Sequence, residues 1–99
     1  MAKVQVEFFF PLSRAVKKES TGRVSLALEI KESDTVRSLM ARLVRRYRGL
    51  RNVFDMEKQE PLLMVLIAFN NSIITSNEVL DTGLKDGDYI GLLPEYVGG

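Results

Sequence analysis

The C-terminal stretch LPEYVGG contains the pattern with the clearest capacity for chemistry. Gly98 and Gly99 have no Cβ atoms, so the backbone beside the terminal carboxylate is unhindered and can enter a narrow channel of another protein. Pro94 cannot donate a ladder hydrogen bond, so it ends the preceding apolar run and releases the residues after it from a sheet. The alternative is a frayed terminus, because chain ends are commonly disordered and a diglycine by itself is weak evidence.

A second candidate is the acidic pair Asp86 and Asp88, which flank Gly87. Paired carboxylates can bind a metal ion or perform acid–base work. However, no third acidic residue lies at calcium-loop spacing, and Asp-Gly between apolar runs is ordinary turn chemistry. We therefore predict a structural turn here and no metal site.

A group of arginines concentrates positive charge around a segment predicted below to be a helix: Arg37, Arg42, Arg45, Arg46, Arg48 and Arg51. They mostly avoid its apolar positions, which favours a solvated face, helped near the helix C-terminus by the helix dipole. Nucleic-acid binding is the sharper alternative. The arginine-rich segment has no interleaved exposed aromatic residues and no recognised nucleic-acid-binding motif. The net charge of the chain is only +1, so we expect no nucleic-acid partner.

Composition excludes several kinds of catalytic and metal chemistry. The 99 residues contain no cysteine and no histidine, which removes disulfides, thiolate nucleophiles, imidazole bases and the usual zinc ligands. A chain of this length with 45% apolar and 27% charged residues fits one globular domain. The longest apolar run, Leu62 to Phe69, is too short to span a membrane and the N-terminus has no leader pattern, so we expect a cytoplasmic protein with no membrane partner.

Two N-terminal stretches alternate between apolar and polar residues, which predicts strands with one buried face. Their apolar positions are Val4, Val6, Phe8 and Phe10, and then Val24, Leu26, Leu28 and Ile30. The two strands form a hairpin with a long connection, in which Phe9 points away from Phe8 and Phe10. An exposed aromatic ring at Phe9, beside the last strand, fits a docking patch for a partner.

Between Ile30 and Leu50 the apolar period becomes that of a helix. The apolar stripe comprises Val36, Leu39, Met40, Leu43, Val44 and Tyr47. Asp34 or Thr35 can cap the first amide groups, and Gly49 suits a left-handed C-terminal cap.

The C-terminal half predicts further strands. Leu62 to Phe69 is a continuous apolar run, typical of a strand buried on both faces and central in its sheet. Asn70-Asn71 is a turn signal, Ser72 to Thr75 fits a short returning edge strand, and Tyr89 to Leu93 forms the last strand. Strands on both sides of one amphipathic helix indicate an α+β domain, in which that helix packs across a mixed sheet of about four to five strands.

The stretch LKDGDYIGLLPEYVGG, from Leu84 to Gly99, resembles the C-terminal signature of the ubiquitin-like sulfur-carrier proteins (MoaD/ThiS-like), above all the small subunit of molybdopterin synthase. The opening VQVEFFF, the segment SDTVRSLMARLVRRY and the run ending in FNN resemble other parts of that family. The resemblance implies the β-grasp fold, with a single domain over residues 1–94 and a flexible tail over residues 95–99 that ends in Gly-Gly.

The resemblance also implies carrier chemistry at the terminal carboxylate. An E1-like enzyme that uses ATP and magnesium would adenylate Gly99, and a sulfur donor such as a persulfide carrier would convert it to a thiocarboxylate. The large subunit of molybdopterin synthase (MoaE-like) would then use that sulfur, so the chain is a carrier with no bound cofactor and is not itself an enzyme. The residues expected in the partner's channel are Pro94, Glu95, Tyr96, Val97 and Gly98, and the candidate docking contacts are Phe9 and Leu92.

The same tail fits other proteins of this fold. It suits a carrier for cysteine, thiamin or tungsten-cofactor synthesis, or a modifier that is attached to protein lysines through Gly99. A non-carrier interaction domain with an inert tail is a further alternative. Glu95, Tyr96 and Val97 depart from the commoner family tail, so we expect them to affect which partner accepts the chain.

Overall fold

The structure is a computed structural model that describes residues 2–52, 54–55, 60–61, 65–73 and 80–94. The strands within these ranges are β1 (Lys3–Phe8), β2 (Val24–Glu29), β3 (Phe54–Asp55), β4 (Glu60–Pro61), β5 (Val65–Phe69), β6 (Ser72–Ile73) and β7 (Tyr89–Pro94). In the same ranges the α-helix α1 covers Val36–Arg46, a first 3₁₀ turn covers Leu12–Ala15 and a second covers Arg48–Asn52. Of these helical segments α1 is far shorter than the roughly 20 residues of a membrane span, and no helix in the described ranges could cross a bilayer.

The main sheet has five strands in the order β2-β1-β7-β5-β6. β7 lies in the middle, parallel to β1 and antiparallel to β5, while β2 and β6 are the edges. β3 and β4 pair separately with each other. The predicted α+β architecture, with one main helix across a mixed sheet, is therefore confirmed.

Helix α1 covers one face of the sheet and buries the predicted apolar stripe. Its buried side chains pack with those of β1, β5 and β7 in one core, and Tyr47 packs against the edge of that core. Thr35 is the N-cap: its hydroxyl oxygen accepts from the Ser38 amide at 3.1 Å, and the Ser38 hydroxyl oxygen accepts from the Thr35 amide at 2.8 Å. The reciprocal pair satisfies two amides that the helix itself leaves unpaired.

Two predictions about packing are wrong. The described part of the Leu62 to Phe69 run is β5, which lies between β7 and the edge strand β6 and is not central. Ile67 is fully buried, but Leu66 and Ala68 on the other face are only half-buried, so this run does not have two buried faces. Residues 62–64 lie outside the described ranges.

Gly49 and Phe10 also differ from expectation. Gly49 has no left-handed backbone and is not a helix cap; it lies in the second 3₁₀ turn, where a Cβ atom would be 3.0 Å from the Cβ of Ala15. Glycine suits this position because the backbone of Ala15 approaches it closely. Phe10 is 41% exposed, since β1 ends at Phe8 and its alternation does not continue.

Candidate functional site

The end of β7 is where the sequence places the functional tail. Leu92 pairs with Phe8 of β1 on one side and with Ile67 of β5 on the other. The Leu92 carbonyl also accepts a hydrogen bond from the Phe9 amide at 3.0 Å, just beyond β1. Pro94, half-buried, is the last residue of β7 and lies opposite Val65. The middle strand of the sheet therefore ends at Pro94, the last residue that the structure describes before the predicted tail.

Most of the predicted site lies outside the described residues. The structure does not describe the five residues after Pro94, which are Glu95, Tyr96, Val97, Gly98 and Gly99. Their roles as sulfur acceptor and channel residues stay predictions, as do the flexible tail over residues 95–99 and the domain boundary at residue 94.

The two candidate docking residues have different surroundings. The Leu92 side chain is fully buried in the core with Ile90, so a docking role for it is wrong. Its strand position places it on the face that α1 covers. Phe9 is half-buried, and the Arg23 guanidinium lies 5.6 Å from the centre of its ring. Phe9 therefore stays a candidate contact beside the point where the chain leaves β7.

The sheet face away from α1 carries a cluster that the sequence analysis did not identify. The Tyr89 hydroxyl donates to Glu7 Oε1 at 2.5 Å, and Arg23 lies 3.9 Å from the other oxygen of that carboxylate. Burial, followed by the hydrogen bond to Glu7, raises the pKa of Tyr89 to about 12. The ring crosses Gly91, where a Cβ atom would be 3.0 Å from the Tyr89 hydroxyl oxygen. A glycine inside a strand is the sequence signal for such a close approach.

The Asp86-Gly87-Asp88 segment is a turn, as predicted. Gly87 has a φ of 88°, in the left-handed region that favours glycine. Asp86 Oδ1 accepts from the Lys3 amide at 2.8 Å, and Asp88 Oδ2 accepts from the Lys85 amide at 2.8 Å. Both carboxylates thus accept hydrogen bonds from backbone amides, and the turn fixes the start of β7 against β1.

The arginines of α1 and the turn after it are mainly solvent-facing, as predicted. Arg42, Arg45, Arg46, Arg48 and Arg51 are exposed. Arg37 is half-buried and pairs with Asp81, with its Nε 2.8 Å from the carboxylate. That pairing lowers the pKa of Asp81, first through the hydrogen bond and then through the charge of the guanidinium.

One helix packed across a mixed five-stranded sheet, with parallel first and last strands, defines a ubiquitin-like β-grasp protein. The model of the ThiS family matches residues 15–99, most of the chain and the whole of its C-terminal signature. This chain belongs to the ThiS family, a group of small ubiquitin-like sulfur carriers or modifiers.

Several solved structures are similar over nearly their whole length. Small archaeal modifier protein 1 from Methanosarcina acetivorans is 30% identical, with a TM-score of 0.71 and coverage of 100% of this chain and 98% of that one. A chain of the complex of subunits 1 and 2 of molybdopterin-converting factor from Helicobacter pylori is 30% identical, with a TM-score of 0.60 and coverage of 98% of this chain and 99% of that one. SAMP1 from Haloferax volcanii, at 19% identity, a TM-score of 0.73 and coverage of 99% and 100%, supports the fold alone. No curated protein sequence matches the chain significantly.

Proposed function

We propose that this protein is a sulfur carrier whose Gly99 carboxylate is converted to a thiocarboxylate. The observation that carries the proposal is the ThiS-family match, which extends through the terminal Gly98-Gly99. It is supported by the position of β7, whose last residue Pro94 ends the middle strand of the sheet. The residues after Pro94 thus follow directly from a strand that is paired on both sides.

The chemistry requires activation because a carboxylate is a poor electrophile. In the proposed first step a Gly99 carboxylate oxygen attacks the α-phosphorus of ATP on an E1-like enzyme, and magnesium pyrophosphate leaves. In the second step the sulfur of a hydrosulfide or persulfide donor attacks the acyl carbon, and AMP leaves with the electron pair of the broken C–O bond. With hydrosulfide the product is the thiocarboxylate after loss of one proton. With a persulfide the product is an acyl disulfide; a thiol then attacks the sulfur on the donor side, the S–S bond breaks, and the thiocarboxylate leaves while a new disulfide forms on the donor. All of the catalytic groups belong to the partners, so this chain is the substrate and carrier.

The residues before the carboxylate would place it in the partner's channel. We assign this role to Pro94, Glu95, Tyr96, Val97 and Gly98, with glycine at the penultimate position so that no side chain obstructs the channel. Ordering such a segment only in the complex costs binding free energy, which helps a carrier to leave one enzyme for the next. Because the activating partner consumes ATP, we place the protein in the cytoplasm.

For the pathway, we propose the small subunit of molybdopterin synthase, with a MoaE-like large subunit as the partner that uses the sulfur. The likeness to the Helicobacter pylori complex of subunits 1 and 2 supports this choice. Co-expression with the large subunit from the same organism should yield a complex that stays together in size-exclusion chromatography. Separate elution of the two proteins would contradict the molybdopterin assignment while leaving the carrier chemistry intact.

Attachment to protein lysines is the second candidate function. It is supported by the equal identity, 30%, to small archaeal modifier protein 1. In cells that carry an epitope-tagged chain, a modifier would form higher-mass species that survive denaturing gels and disappear when Gly98 and Gly99 are removed. A carrier alone would give a single band.

The activation step can be tested directly. The E1-like enzyme from the same organism should catalyse ATP–pyrophosphate exchange when the full chain and magnesium are present, because adenylate formation is reversible. The matched control is the chain shortened by Gly98 and Gly99, for which we expect no exchange above background. Equal exchange with both chains, or no exchange with an enzyme that activates another carrier, would overturn the proposed function.

A further inference from the structure

Charged side chains divide unevenly between the two ends of the molecule. At one end, which we call the basic end, the chain places exposed Lys17, Lys18, Arg45, Arg46, Arg48 and Arg51. Glu19 is exposed in the same loop, so the described side chains leave a clear excess of positive charge.

The basic end is formed by two segments that touch. The first 3₁₀ turn ends at Ala15, and the second contains Gly49, whose Cα position is so near Ala15 that an added Cβ would lie 3.0 Å from the Ala15 Cβ. Lys17 and Lys18 follow the first turn, while Arg48 and Arg51 belong to the second. The contact brings cations that are distant in sequence onto one surface.

The basic end is also the end of the sheet at which β7 finishes. β1 and β7 are parallel, with Phe8 beside Leu92, so both strands finish at the same end of the sheet. β1 leads directly into the first 3₁₀ turn, and the Phe9 amide donates to the Leu92 carbonyl. An enzyme that acts on the residues after Pro94 must therefore approach this end.

The opposite end has a different electrostatic character. Asp34, Asp81, Asp86 and Asp88 lie at the start of α1 and in the turn before β7, and α1 separates them from the basic end by about 16 Å of helix. Cations at that end have acidic neighbours: Arg37 pairs with Asp81, and Arg42 lies 3.9 Å from Asp34. No comparable ion pair joins the basic end to any carboxylate among the described side chains.

Structural stabilisation explains only part of the basic end. The dipole at the C-terminus of α1 favours Arg45 and Arg46, which belong to its last turn. It does not reach Lys17 and Lys18, which are in another segment. Like charges gathered on one surface repel each other and attract a partner of the opposite charge, so the described cations of the basic end favour an acidic partner surface.

We propose that the basic end docks on an acidic surface that borders the active-site entrance of the adenylating enzyme. This inference rests on the proposed function, and it adds the acidic surface of the enzyme on which the carrier docks. Attraction between the two surfaces orients the carrier with the end of β7 toward the entrance before the tail engages. Such steering raises the association rate and weakens as salt rises.

Charge reversal at the two ends tests the proposal. The test variant is Arg48→Glu with Arg51→Glu, and the control is Lys31→Glu with Lys85→Glu, which makes the same change in net charge at the opposite, equally exposed end. In ATP–pyrophosphate exchange with the E1-like enzyme we expect the test variant to raise KM about tenfold at low salt, with kcat unchanged. The control should change KM less than about twofold, and added salt should reduce the difference between the two.

Each outcome has a definite meaning, provided that circular dichroism shows both variants folded. Equal KM values for test and control variants would overturn the proposal while leaving the carrier function intact. No exchange even with the unaltered chain would overturn the proposed function and this inference with it. An unchanged KM together with loss of binding to a fluorescein-labelled oligouridine would assign the basic end to nucleic acid and overturn the protein partner.

Discussion

The hydrogen bond from the Tyr89 hydroxyl to Glu7 depends on the lack of a side chain at Gly91. Because Gly91 has no Cβ, the ring of Tyr89 can cross it and donate to Glu7 of the neighbouring strand. The sequence contains the signal for this contact, a glycine within a predicted strand, but it does not tell which aromatic ring covers that glycine. Strand pairing supplies that information, since Glu7 lies directly opposite Gly91.

Tyr89→Phe should change the alkaline pH dependence of stability. The pKa of Tyr89 is about 12 in the folded protein, above its ordinary value of 10.0. The unfolded chain therefore loses this proton first, and the stabilisation present below pH 10 is lost as the pH rises toward 12. Urea unfolding across this range should show a steeper fall in the free energy of unfolding for the unaltered protein than for the variant. Parallel curves would contradict the raised pKa.

Gly91→Ala should break the same contact by displacing the ring. The new Cβ would meet the Tyr89 hydroxyl oxygen at 3.0 Å, and the flexible side chain would move before the backbone does. We expect a loss of about 1 kcal/mol, the usual net contribution of one hydrogen bond. Repeating the substitution in the Tyr89→Phe background provides the control: the loss should be smaller there, because no hydrogen bond is left to break. Equal losses in both backgrounds would show that the contact is not responsible.

Among the helices and strands, features that depend on sequence neighbours were predicted better than the way the elements pack together. The stripe from Val36 to Tyr47 and the cap at Thr35 give α1 correctly, because helix period and capping depend on neighbours in sequence. Asn70 has the positive φ, 54°, expected of its turn. The order of the strands in the sheet could not be predicted in this way. Nothing local in the run that includes β5 shows that β7 takes the middle of the sheet, because that depends on pairing between distant segments.

Gly49→Ala should destabilise the contact between the two 3₁₀ turns. Its Cβ would lie 3.0 Å from the Cβ and 3.2 Å from the Cα of Ala15, and overpacking of this kind costs about 1–3 kcal/mol. Gly22→Ala is the matched control, because its Cβ meets nothing within 4 Å and its φ is not positive. That substitution should be neutral or stabilise by up to about 1 kcal/mol. Thermal unfolding of both variants measures the difference, and equal stability would contradict the close approach.

For the whole molecule, three properties converge at one end. The middle strand of the sheet finishes there, the basic surface lies there, and the family signature continues from there to Gly99. The sequence predicted from Pro94 that the last strand ends there, but not that this strand is the middle one, and it predicted the third property from the terminal glycines. It did not predict that the cations would lie at the end of the sheet where β7 finishes, because this requires the contact between Ala15 and Gly49. The sequence left a docking role open for Leu92, which its burial excludes, because an apolar run does not show which of its residues face the helix.

The central claim, that Gly99 carries sulfur, is tested most directly by intact mass spectrometry. The full chain is incubated with the E1-like enzyme, magnesium ATP and sulfide, beside a control chain that lacks Gly98 and Gly99. We predict a gain of about 16 Da, the replacement of one oxygen by sulfur, in the full chain only, and fragmentation that assigns it to Gly99. An unchanged mass while the same enzyme preparation releases AMP with another carrier, or a gain on any residue other than Gly99, would contradict the account.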